Sequence, residues 1–295
     1  MKKTIFTGAG VAIVTPMHED GSINLEKFKE IIDQQIAGGT DALIVCGTTG
    51  ESATQSHEEH VEVIKTAVEH TAGRVPVIAG TGSNDTAYAL HLSKEAEALG
   101  VDGLLMVTPY YNKTSQAGLI QHFTYVADRV NTPIILYNVP SRTGCNIQPA
   151  TYAALAEHPN IVATKEASGN MSALVDTIAR CGDKLDIYSG NDDQVVPILA
   201  LGGKGVISVL SNVAPRPTHD MVAKFLAGDV EGSRRLQVEY APLISALFSD
   251  VNPIPVKEAM NLMGMEVGPC RMPLAPMSEA GRENLKAQLQ KMGLL

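Results

Sequence analysis

Lys165 ends an apolar run, Ile161-Val162-Ala163-Thr164-Lys165, and a lysine in that setting loses the solvation of its ammonium unless it is paired or neutral. At the ordinary lysine pKa of about 10.4 only about one side chain in a few thousand is neutral at pH 7; burial that brings the value to ~7–8 makes the amine a useful nucleophile. The chemistry this offers is imine formation with a ketone or aldehyde. The alternative is an ion pair with Glu166 or another strand-end carboxylate, and on this residue alone the two readings stand level. Three other segments carry chemical groups. Gly47-Thr48-Thr49-Gly50 sets two hydroxyls between glycines whose N–H groups can hold a carboxylate or phosphate, although an ordinary turn has the same composition. Tyr111 and Tyr137 are phenols that pass protons if a hydroxyl such as Thr48 links them; either alone reads as packing. Arg142, in Ser141-Arg142-Thr143-Gly144, is either a bidentate grip for a substrate carboxylate or a solvated surface residue.

These groups become one site only if the fold gathers them. Continuous apolar runs at Val11–Pro16, Ala42–Gly47, Val75–Gly80, Gly103–Thr108, Pro133–Asn138, Ile161–Lys165, Asp186–Gly190 and Gly205–Leu210 read as parallel strands buried on both faces. Helical periodicity separates them at Leu25–Ala37, His57–Thr71, Ala87–Leu99 and Leu119–Val130, with a capping box at Ser56/Glu59 and stops at Gly73 and Gly100. The expected class is α/β, a (β/α)8 TIM barrel over residues 1–228, followed by a C-terminal helical extension over 229–295. The extension reads as helices at Gly232–Leu247, Val256–Met263 and Ala280–Lys291, placed over the barrel or over a partner subunit. A doubly wound sheet would put a GxGxxG turn after its first strand; Gly8-Ala9-Gly10 is read as preceding that strand instead. In a barrel the reactive groups collect at the C-terminal ends of the strands, where Thr48, Tyr111, Tyr137, Arg142 and Lys165 all fall.

Composition narrows the classes. The chain has 295 residues, a formal net charge of −9, only 4% aromatics and no Trp, which disfavours nucleic acid as a partner. No run approaches the ~18 apolar residues of a membrane span, and Gly8 and Gly10 interrupt the signal-like opening Met1-Lys2-Lys3-Thr4-Ile5-Phe6. The expectation is a soluble cytoplasmic protein. Cys46, Cys145, Cys181 and Cys270 have no metal or disulfide spacing and read as thiols of a reducing compartment. His57 and His60 have helical spacing but no matching carboxylate, so no metal is expected and a solvated helix face is read there.

Taken in order, GTTGES at 47–52, GTGSN at 80–84, TPYYN at 108–112, YNVPSRTG at 137–144, KEASG at 165–169, SGNDD at 189–193, GVISV at 205–209 and NPIPVK at 252–257 resemble the dihydrodipicolinate synthase and N-acetylneuraminate lyase family. These are class I, pyruvate-dependent aldolases, and the similarity covers essentially the whole chain. The resemblance implies that Lys165 forms an imine with pyruvate and that Tyr137 shuttles protons in a relay with Thr48 and Tyr111. Tyr111 would reach a neighbouring subunit, making a dimer the minimum unit and a homotetramer of paired dimers the expected assembly. The pyruvate carboxylate would sit on the Thr48 and Thr49 region, with Gly190 and the Ile207 backbone lining the imine site, and no metal or organic cofactor would be needed. Arg142 would receive the carboxylate of L-aspartate 4-semialdehyde, giving 4-hydroxy-tetrahydrodipicolinate at the start of the diaminopimelate and lysine route. The resemblance also implies a cleft at Ser52, Ala53, His57, Asn84, Tyr88 and Tyr110 in which lysine-inhibited members carry a carboxylate where this chain has Tyr88; weak or absent lysine feedback is expected.

Cleavage of N-acetylneuraminate or of a 2-keto-3-deoxy sugar acid is the nearest rival, sharing Lys165, Tyr137 and the GTTGE turn. Arg142 and the Tyr110-Tyr111 pair favour the carboxylate-bearing aldehyde. A phosphate-binding isomerase using Gly202, Gly203 and Gly205 is disfavoured because that segment precedes its strand, and a non-catalytic barrel leaves the lysine unexplained.

Overall fold

The computed structural model describes residues 2–295; Met1, the first residue of the signal-like opening, lies outside the described residues. Eight parallel strands close into a barrel in chain order: β1 Gly8–Ala12, β2 Ala42–Val45, β3 Val77–Gly80, β4 Gly103–Val107, β5 Ile134–Asn138, β6 Ile161–Glu166, β7 Asp186–Ser189 and β8 Gly205–Ser208. Between them run α1 Leu25–Ala37, α2 His57–Thr71, α3 Thr86–Leu99, α4 Gln116–Ala127, the short α5 Pro140–Thr143 and α6 Pro149–Leu155, α7 Met171–Cys181 and α8 Val195–Ala200, and α9 Pro215–Leu226 follows the last strand. The extension adds α10 Val230–Leu247, α11 Ile254–Leu262 and α12 Glu279–Lys291.

Alternation along each strand sorts side chains into two cores. Ile44, Ile78, Leu105, Ile135, Tyr188 and Ile207 fill the barrel, whereas Leu43, Val45, Leu104 and Leu136 meet the helices. Both faces are buried, which is why the strands read as unbroken apolar runs. Ile44 is fully buried, and its truncation to Ala would cost about 2–5 kcal/mol. The helices start where local chemistry allows. The Asn24 side chain caps α1 by accepting from the Lys27 N–H, and Ser56 with Glu59 forms the expected capping box on α2.

The first strand corrects the expectation: it occupies Gly8–Ala12, not Val11–Pro16, so Gly8-Ala9-Gly10 lies within the strand rather than before it. The physical reason is close packing between β1 and β8. Gly8 pairs with Gly205, and a Cβ on Gly205 would stand 1.8 Å from the Gly8 carbonyl oxygen. Glycine at the seam makes the strand invisible to apolar patterning, while Ile13 and Val14 prolong the apolar run past the strand's end.

The extension packs onto the barrel. Leu285 and Leu289 of α12 are fully buried, and the segment ahead of α11 crosses the C-terminal mouth of the barrel: Asn252 Nδ2 donates to Thr49 Oγ1 at 2.9 Å. Among the described residues no helix is long and apolar enough to cross a membrane.

Candidate active site

β5 and β6 are in register with Tyr137 opposite Lys165 and Asn138 opposite Glu166. Adjacent residues of a strand face opposite ways, so Lys165 and Tyr137 turn into the barrel while Glu166 and Asn138 turn out toward the helices. Lys165 is 6% exposed and its Nζ lies 4.3 Å from the centroid of the Tyr137 ring. Glu166 is occupied elsewhere: it accepts from Tyr152 Oη at 2.9 Å, from the Ser168 N–H at 2.7 Å, and from Asn138 Nδ2. Burial and the Glu166 charge push the Tyr152 phenol up, which keeps it a donor. Among the described residues Lys165 forms no ion pair, and the Glu166 partnership considered above is not made.

Gly190 gives the lysine its room. A Cβ there would stand 3.1 Å from Lys165 Cγ and 2.7 Å from the Ala167 Cβ. Ile207 is fully buried in the barrel core below. Above the amine opens a cavity of about 420 Å³ whose walls include Thr49, Tyr137, Arg142, Lys165, Gly190 and Asn252. Arg142 sits on α5 at the exposed rim, its Nη2 donating to the Asn252 carbonyl at 3.1 Å. Its charged fork therefore guards the entrance of the same cavity that holds the amine.

The turn after β2 is held by a buried ion pair that the sequence reading missed. Glu51 has a left-handed backbone, φ 56°, and its carboxylate meets Lys257 Nζ of α11 at 2.8 Å and the Arg271 N–H at 2.8 Å. Lys257 is 1% exposed and Glu51 4%. The extension thus anchors the turn that presents Thr48 and Thr49. The signal lay in the final lysine of NPIPVK, but nothing in the sequence pairs positions 51 and 257. Asp192 was also missed. It is buried behind the site, its Oδ2 accepting from the Val209 and Leu210 N–H groups at 3.0 and 2.9 Å. Burial raises its carboxyl; the nearby Ser208 hydroxyl, the two N–H groups and the Lys165 charge oppose that rise.

Not every expected site residue converges within one chain. Thr48 lines a neighbouring hollow of about 480 Å³ together with Ser52, Ala53, Tyr88 and Tyr110, with Val139, Arg142, Val251 and Asn252 common to both cavities. Tyr111 stands 92% exposed with a left-handed backbone, φ 68°, and does not line the cavity above Lys165. His57 reaches this second hollow through Tyr88, whose hydroxyl is 3.3 Å from His57 Nδ1, whereas Asn84 borders a separate depression and accepts from Asn112 Nδ2 at 2.9 Å. His60 corrects the solvated-face reading. It is buried against β3, donating Nε2–H to the Gly80 carbonyl at 2.8 Å, and desolvation holds its imidazole below the usual range. His57 does have a carboxylate, Glu95, at 2.9 Å.

The chain is similar to known proteins along its whole length. The chain is 60% identical over 292 residues to the 4-hydroxy-tetrahydrodipicolinate synthase of Lachnoclostridium phytofermentans, covering 99% of each, and 57% identical over 295 residues to that of Acetivibrio thermocellus, covering 100% of each. Its fold superposes with a TM-score of 0.97 on the chloride-inhibited dihydrodipicolinate synthase from Acinetobacter baumannii complexed with pyruvate, at 42% identity, covering 99% of this chain and 100% of that one. The profile of the Dihydrodipicolinate synthetase family matches residues 5–292, and the chain belongs to that family.

Proposed function

We propose that this chain condenses pyruvate with L-aspartate 4-semialdehyde to give 4-hydroxy-tetrahydrodipicolinate, a lyase reaction at the head of diaminopimelate and lysine biosynthesis. The observation that carries it is a buried lysine without a carboxylate partner, set over a phenol, at the floor of a cavity rimmed by an arginine.

The Lys165 amine adds to the pyruvate ketone and water leaves, forming an imine. Loss of a methyl proton gives the enamine, with the imine as electron sink; no metal or organic cofactor enters these steps. The enamine carbon attacks the semialdehyde, forming the new C–C bond. The second substrate's amino group then adds to the imine carbon, and Lys165 departs as the free amine. Tyr137, beside Nζ, delivers and removes the protons. Thr49 and Thr48 hold the pyruvate carboxylate, and Gly190 and Ile207 leave space for the imine. Arg142 receives the carboxylate of the second substrate by paired, charge-assisted hydrogen bonds. Thr48 continues the proton path to Tyr111 of a second copy, which the exposure of Tyr111 supports and which makes the dimer the working unit and a tetramer of paired dimers the assembly. We also infer a cytoplasmic enzyme in which residues 1–228 supply the lysine and 229–295 close its mouth.

Steady-state assays with pyruvate and L-aspartate 4-semialdehyde, against N-acetylneuraminate and a 2-keto-3-deoxy sugar acid, test the reading. Turnover of the first pair is expected. Turnover of the sugar acids alone would reject it.

A further inference from the structure

Outside this site, side chains of two neighbouring helices converge as metal ligands do. His91 and Glu95 are four residues apart on α3 and so share a face. His57, in the first turn of α2, meets them from across the helix pair. His57 Nε2 is 2.9 Å from Glu95 Oε2, His91 Nε2 is 3.9 Å from the same oxygen, and the three ligand atoms all lie within 4.8 Å of one another. Bonds of ~2.0–2.2 Å in a tetrahedron put neighbouring ligand atoms about 3.3 Å apart, so modest side-chain adjustments close the three around one ion. The imidazole rings already stack, with centroids 5.1 Å apart and planes 18° from parallel.

Two further observations point to a cation rather than a simple ion pair. Glu95 Oε2 is sealed from solvent yet has no hydrogen-bond partner, so the 2.9 Å approach of His57 Nε2 is not an aligned N–H···O bond. On its far side His57 Nδ1 meets the Tyr88 hydroxyl at 3.3 Å. In the tautomer that donates Nδ1–H to that hydroxyl, the Nε2 lone pair faces the carboxylate, the outer-shell arrangement by which proteins orient ligating histidines. His91 is exposed, which leaves a path from solvent and an open fourth position.

We propose that His57, His91 and Glu95 form a site for a divalent transition metal, Zn²⁺ by donor set, since two imidazoles and one carboxylate suit Zn²⁺ and disfavour hard cations such as Mg²⁺ and Ca²⁺. The ion staples α2 to α3 and fixes His57 against Tyr88 at the lip of the second hollow. This revises the expectation that the histidine of this helix lacks a matching carboxylate.

The test is calorimetric titration of Zn²⁺ into chelator-treated full-length protein, alongside His91→Ala and Glu95→Gln, with visible absorption of the Co²⁺ form as a second readout. One equivalent per chain is expected. Each variant should bind at least tenfold more weakly, about 1.4 kcal/mol, and lose the Co²⁺ band. Circular dichroism confirms folding, and Glu95→Gln keeps the side-chain shape if His91→Ala does not fold. Absence of saturable binding, or affinity and spectrum unchanged in the folded variants, overturns the proposal and leaves His57 and Glu95 an ion pair. Neither readout involves turnover, so the reading of the Lys165 cavity stands or falls separately.

Discussion

Tyr137 and Lys165 are register partners on β5 and β6, and this pairing brings the lysine Nζ to 4.3 Å from the phenol ring centroid. Two strands of fixed register thus bring the proposed nucleophile and the proposed proton carrier together. Tyr137→Phe keeps the ring against Lys165 and removes only the hydroxyl. We expect kcat to fall about 10²–10⁴-fold, the usual contribution of a positioned proton donor, with thermal stability little changed. Parallel kinetics and melting curves check this; a Phe variant of near-native kcat would remove Tyr137 from the proton path.

Arg142 lies at the rim of the cavity and is exposed, so its loss should spare the fold. Arg142→Ala is expected to raise KM for L-aspartate 4-semialdehyde by roughly 10–100-fold, in keeping with about 1.5–3 kcal/mol for hydrogen bonds to a charged group, while KM for pyruvate moves little. Equal effects on both substrates would place the arginine elsewhere in the reaction.

The Glu51–Lys257 pair is buried on both sides, and removing one partner strands the other charge in the interior. Lys257→Met should therefore cost about 3–5 kcal/mol and loosen the turn that carries Thr48 and Thr49. Denaturant unfolding measures it. The double variant Glu51→Gln with Lys257→Met should recover part of that loss, because no lone charge remains buried.

Tyr88 sits at the lip of the second hollow with its hydroxyl 3.3 Å from His57 Nδ1, and burial followed by the nearby Glu95 charge raises its phenol, so it stays uncharged at neutral pH. It offers a ligand ammonium no counter-charge. Titration with lysine should give weak or no inhibition; half-inhibition below about 1 mM, an affinity worth more than about 4 kcal/mol, would contradict this.

The barrel was legible because parallel strands buried on both faces leave unbroken apolar runs, and α1 and α2 run over the residues their periodicity and caps indicate. β1 was misplaced because its seam with β8 demands glycine, which carries no hydrophobic signal. That Thr49, Tyr137, Arg142 and Lys165 would border one cavity could be read from their position at strand ends, whereas Thr48 and Tyr111, at strand ends too, do not line it. Whether Glu166 neutralises Lys165 could not be read in that way, since that depends on Tyr152 and Ser168 engaging the carboxylate on the outer face. His60 shows the same limit in reverse: it shares helical spacing with His57, yet it is the Gly80 carbonyl on β3 that draws it inside. The meetings of Glu51 with Lys257 and of His57 with Glu95 join distant segments, which no local pattern records.

Lys165 is proposed to carry pyruvate as an imine. Incubation with pyruvate, borohydride reduction and peptide mass spectrometry reads that bond out on the residue itself. One stable pyruvate adduct per chain is expected, on Lys165 and absent from Lys165→Ala. An unmodified Lys165, or an adduct on another lysine that survives in that variant, would contradict it.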